Sequence, residues 1–114
     1  MLDTSPLTAA VERFADRLRA APQSRLQRGA AAEALELARE LAAAAQRLED
    51  PSGAAPARVM PDEGVFVVGD QLAVAGLDLA EALRTAGPDS AKAPSAMLDE
   101  AVALVERVEV RAMR

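Results

Sequence analysis

Glu63, Asp70 and Glu81 are spaced so that, on one helix, they lie within about 20° of each other at 100° per residue, and Asp78 lies within a turn of them. No Lys or Arg occurs between Met60 and Leu83, which makes this the strongest charge asymmetry in the chain. The strip could be a solvated face, a docking strip for a basic partner, or a divalent-cation site. A transition metal is disfavoured on chemistry. Carboxylate metal sites in helical bundles pair Glu with Glu-x-x-His, and this chain of 114 residues contains no His and no Cys. No metal and no cofactor is expected.

Val67 and Val74, one heptad apart, project into the same acidic strip. β-Branched residues gain nothing in helix propensity at an exposed position, so a covering partner is a fair expectation. The candidate partner-binding set is therefore Glu63, Val67, Asp70, Val74, Asp78 and Glu81.

Arg13, Arg17, Arg25 and Arg28 form a local excess of positive charge around the first helical connection, tempered by Glu12 and Asp16. Guanidinium groups suit carboxylates and phosphates, which makes these four a candidate anion site. Their ordinary role is surface solubility. The one lysine, Lys92, falls in an expected loop, so no helix-borne ammonium joins them.

Catalysis finds little material. Ser5, Ser24 and Ser95 are placed as helix caps, and without His or a helix-borne Lys none has an activating base. Gly64, Gly69 and Gly76 follow no strand of a βαβ unit, so no phosphate-cradling loop is indicated. The expected protein is not an enzyme.

The elements that would position these residues are helical. Ala (28), Leu (14) and Val (10) dominate, and Ile, Asn, Trp and Tyr are absent, an alphabet that favours helices. Ser5-Pro6 suits a helix start, and Leu7, Val11, Phe14 and Leu18 form a stripe over about 6–20. Ser24-Arg25-Leu26-Gln27 has the form of a capping box. It would open a second helix over about 24–49, with Ala34, Leu37, Leu41, Ala44 and Leu48 as a seam.

The third segment admits two readings. Val65-Phe66-Val67-Val68 has strand propensity, but Val65, Val68, Leu72, Ala75, Leu79 and Ala82 step in threes and fours, which predicts one helix over 61–86. Gly87-Pro88 would end it. A fourth helix over 95–112 carries Leu98, Ala101, Val105, Val108 and Ala112, with loops at 51–60 and 87–94. Near-alternation in Val105–Arg111 leaves a strand there as the lesser alternative.

Four amphipathic helices predict an all-α, antiparallel four-helix bundle with up-down-up-down order, helices 2 and 3 forming its central hairpin. One domain over 1–114 is expected. An Ala-rich core buries little area per residue, so dimerisation through the long helices would add burial where it is scarce.

Bulk properties narrow the partners. Net charge is −5, and only Phe14 and Phe66 are aromatic, so neither a basic surface nor a stacking platform favours nucleic acid. No stretch approaches a membrane span, and Met1-Leu2-Asp3 lacks a basic n-region. A cytoplasmic protein with no nucleic-acid or membrane role is expected. The reading that follows is a non-enzymatic helical interaction or regulatory module, a homodimer or the partner of another protein. A small-molecule binder or minor enzyme with an Arg- and carboxylate-lined pocket is the expectation from the other class.

Overall fold

The computed structural model describes residues 2–86 and 92–114. They form an all-helical four-helix bundle, with no strand among the described residues. We label the helices α1 (Ser5–Ala20), α2 (Ala31–Glu49), α3 (Val68–Thr85) and α4 (Pro94–Ala112). The expected Gly87-Pro88 stop lies outside the described residues, as does most of the expected 87–94 loop.

The apolar stripes read from spacing supply the core. Leu7, Val11, Phe14 and Leu18 of α1 are all buried, as are Ala34, Leu37 and Leu41 of α2, Leu72, Ala75 and Leu79 of α3, and Leu98, Val105 and Val108 of α4. Ala44, Leu48 and Ala112 at the ends of two stripes are half-buried. Alanines fill much of the remaining interior, so the helices must approach closely to exclude water. Two glycines of α3 show how closely. A Cβ at Gly76 would stand 2.7 Å from a Val11 methyl, and one at Gly69 would stand 3.1 Å from the Ala15 carbonyl oxygen. Gly69 and Gly76 serve helix contact.

Direction is where the structure departs from expectation. Val11 meets Gly76, Ala15 meets Gly69, and Arg84 reaches Thr4, so α1 and α3 are antiparallel. Leu35 shares a crevice with Val68 and Gln71, whereas Leu41 and Ala44 share one with Leu79, so α2 and α3 run parallel. Glu33 pairs with Arg111 while Leu41 and Ala44 neighbour Met97 and Ala101, which makes α4 antiparallel to α2. The order is up-down-down-up, and helices 2 and 3 form no hairpin. α1 and α2 sit across a diagonal, each flanked by α3 and α4.

A parallel pair needs a return connection as long as the helix it retraces, here 19 residues of α2, or about 28 Å at 1.5 Å per residue. Residues 50–67 make that return as an extended strap along α2. Gln46 holds it with both ends of its amide, donating from Nε2 to the Pro56 carbonyl at 2.8 Å and accepting the Arg58 N–H at 3.0 Å. Farther up, Arg39 Nε donates to the Met60 carbonyl and Gln71 Nε2 to that of Pro61, both at 2.8 Å.

This return corrects the third helix, which begins at Val68 rather than Pro61. Gly64 adopts φ +97°, and its N–H is taken by Asp62 Oδ1 at 2.9 Å, a local turn that competes with helix. Val65 keeps its place in the apolar series because it packs on the core from just outside the helix, which is why spacing alone reads through it. The strand alternatives at 65–69 and 105–111 are not adopted.

Cap residues are corrected too. Ser5 is the first helical residue of α1 rather than its cap, and its N–H is satisfied by Asp3 Oδ1 at 3.0 Å. No capping box forms at Ser24. The chain instead makes a turn at Gln23–Arg25 and a wide turn at Leu26–Ala30 before α2. Gly29, at φ +140°, puts a bend where a continuous helix was expected. Ser95 is also not a cap, since Ala93 occupies that position and Pro94 is the first residue of α4.

Gly76→Ala should destabilise the fold by about 1–3 kcal/mol through overpacking despite its better helix propensity, and Val11→Ala in the same chain should recover part of the loss in urea unfolding. Gln46→Ala should expose residues 51–60 to proteases while leaving the thermal midpoint nearly unchanged, because the strap buries little.

Candidate functional site

The strap and the parallel helices decide which candidate residues come together. Of the partner-binding set, Glu63 leaves the strip, since it is an exposed strap residue ahead of α3. Val67 sits at the N-cap of α3, and Asp70, Val74, Asp78 and Glu81 share its solvent face. The acids are partly neutralised. Asp70 accepts from Arg19 NH2 of α1 at 2.7 Å, and Glu81 pairs with Arg84 one turn on. The Asp70 hydrogen bond is the main reason the Arg19 guanidinium holds its proton more tightly than usual. Among the described residues Asp78 has no ion-pair partner.

The same face exposes apolar area. Phe66 is 73% exposed, Val74 53%, Leu77 56% and Val67 36%. Phe66 and Leu77 were not in the sequence-derived set. Leu77 lies three residues after Val74 and could have been found by the same wheel. Phe66 needed the strap to turn it out of the helix. Scattered surface apolar residues are ordinary, but these four lie on one helix and its entry turn and stay uncovered among the described residues.

The anion-site arginines divide into two groups. Arg13 and Arg17 are drawn to Glu109 of α4, which is only 5% exposed. Arg13 Nε and Arg17 NH1 each donate to one of its carboxylate oxygens at 3.3 Å. Glu109 escaped the sequence reading because a carboxylate between Val108 and Val110 marks no stripe. Arg25 and Arg28 stay together, at the bundle end where α1 and α4 finish and α2 begins. There they join Arg111 and Arg114 around a cleft floored by Gly29 and Ala30. Arg25 NH1 donates to the main-chain oxygens of Met113 and Arg114 at 2.9 and 2.8 Å, the first an orphan acceptor at the end of α4. Arg111 Nε donates to both oxygens of Glu33, at 2.9 and 3.0 Å.

Elsewhere the polar groups are self-contained. Asp50 at the end of α2 accepts the Ser52 hydroxyl at 2.6 Å and the Ala55 N–H at 2.8 Å, and the Ser52 bond leads in lowering its pKa below the ordinary aspartate range. Among the described residues, no buried side-chain nitrogen or oxygen lacks a hydrogen-bond partner, no group of three or more Asp or Glu is placed to hold a metal ion, and no helix is long and apolar enough to cross a membrane. No protein-family model matches the sequence, and neither a curated protein nor a solved structure was found to be similar to it.

Two outcomes test this assignment of charges. Arg13→Ala and Arg17→Ala should each cost about 0.5–1 kcal/mol, as expected for half-exposed partners, but together they should cost more than their sum, because the second removes the last counter-charge from Glu109. Urea titrations of the single and double variants measure that coupling. Asp50's folded pKa is lowered, so its bonds to Ser52 and Ala55 contribute above the ordinary aspartate pKa and are lost as pH falls through the lowered value. The protection of the Ala55 amide relative to its intrinsic exchange rate should fall only in that acidic window.

Proposed function

We propose that this protein is a non-enzymatic helical interaction module that docks a second copy of itself through the outer face of α3. The observation that carries the reading is the exposed stripe of Phe66, Val67, Val74 and Leu77. α3 already packs one face on α1 and another on α2, and a third apolar face has no use in a lone bundle. A C2 contact brings that stripe against itself and adds apolar burial to a chain whose interior is rich in alanine. The neighbouring charges allow this, since Arg19 and Arg84 offset Asp70 and Glu81 within each chain.

The absence of His and Cys from the sequence, together with the full pairing of buried side-chain polar atoms among the described residues, supports binding over catalysis. A catalytic centre ordinarily keeps a titratable group poised and incompletely satisfied.

Light scattering on the eluting protein should give the mass of two chains, against 11.9 kDa for one. Val74→Glu with Leu77→Glu should return it to one chain with unchanged helix content. A dimer formed through this face would bring the Asp78 carboxylates of the two chains toward each other, so association should strengthen as salt rises from about 50 to 500 mM and screens that repulsion. A basic partner would show the opposite salt dependence. A single-chain mass at every soluble concentration would overturn self-association.

A further inference from the structure

The arginine cleft at the bundle end has no place in the α3 reading. Arg13, Arg17, Arg19, Arg58 and Arg84 each meet a carboxylate within the described structure. At the cleft, four guanidinium groups meet one carboxylate side chain, that of Glu33, and Arg25 also meets the last main-chain oxygen, that of Arg114. The nearest carboxylate down α4, Glu109, is already held by Arg13 and Arg17. This concentration of positive charge stands in a chain whose net charge is −5. Like charges gathered in a concave site repel, and the arrangement becomes favourable when an anion enters.

The four arginines are not equivalent. Arg25 is fixed by the Met113 and Arg114 main-chain oxygens and Arg111 by Glu33, so these two are oriented before any ligand arrives. Arg28 and Arg114, from the wide turn and from beyond α4, line the same cleft with no hydrogen bond or ion pair from their guanidinium groups among the described residues. Gly29, next to Arg28 in the cleft lining, leaves open space where a side chain would stand. Guanidinium forks donate paired N–H groups to the oxygens of phosphates and carboxylates. Two free forks from separate elements suit a ligand with two adjoining anionic groups better than a single monoanion.

We propose that this cleft binds a small polyvalent oxyanion, with Arg28 and Arg114 as its direct ligands and Arg25 and Arg111 as positioning residues. Neither a membrane surface nor a nucleic acid is needed, because the cleft is local and the remainder of the chain is acidic.

Calorimetric titration with inorganic pyrophosphate at about 20 mM salt, where screening is weak, should show saturable binding with a stoichiometry of one per chain. Citrate titrated in parallel distinguishes a phosphate source from a carboxylate one, and saturable binding of either supports the site. Arg28→Gln with Arg114→Gln should weaken the bound probe at least tenfold. Arg47→Gln with Arg58→Gln removes the same charge from the opposite half of α2 and its strap and should leave affinity within about twofold. Arg28→Gln alone, at an exposed position, provides a second reading if the double variant unfolds, and should weaken binding several-fold. Failure of both probes to bind overturns the proposal, as does equal loss in the cleft and control variants, which would make binding a property of overall charge.

Discussion

The parallel packing of α2 against α3 is the constraint from which the rest of this bundle follows. Two helices that touch along their lengths and point the same way cannot be joined by a tight turn, so the chain must travel back the full length of α2 before α3 begins. Residues 50–67 make that journey mostly exposed, with only Met60 and Val65 packed against the core. They are held by polar side chains reaching up from the helices, above all Gln46, Arg39 and Gln71. The amide of Gln46 takes the place of a strand partner for the strap backbone at Pro56 and Arg58.

The same constraint arranges the two ends of the molecule. Because α1 and α4 rise while α2 and α3 descend, one end collects the last turns of α1 and α4 with the first turns of α2 and α3. Arginines far apart in the sequence, Arg25 and Arg28 at the first helical connection and Arg111 and Arg114 at the end of α4, become neighbours there. Arg13 and Arg17 are one helix away and belong to a different cluster, paired to a buried carboxylate. Charge that looks like one patch along the chain is two structures in space, one closed on itself and one open.

The third helix shows how periodicity can be right about burial and wrong about structure. Val65, Val68 and Leu72 keep the spacing of a continuous helical stripe, and all three lie against the core or within it. The stripe nonetheless crosses from strap to helix at Val67. An apolar residue just outside a helix start can cover the same patch as one inside it, much as a hydrophobic staple does. Gly64 and Asp62 carried the contrary signal, a turn-forming pair whose local hydrogen bond outcompetes a helical one.

What the sequence alone determined is the set of buried faces. Helix propensity and a recurrence of three and four residues are local properties, and they identified four helices and nearly all of the core, together with Val67 and Val74 as apolar residues lacking an inward role. Helix direction, the strap, the exposure of Phe66 and the enclosure of Glu109 were decided only by tertiary structure. Each depends on which helix packs beside which, and an amphipathic stripe specifies that a face must be covered without specifying by what or from which direction. Gly69 and Gly76 made the difference visible, since their meaning lies in how near α1 comes.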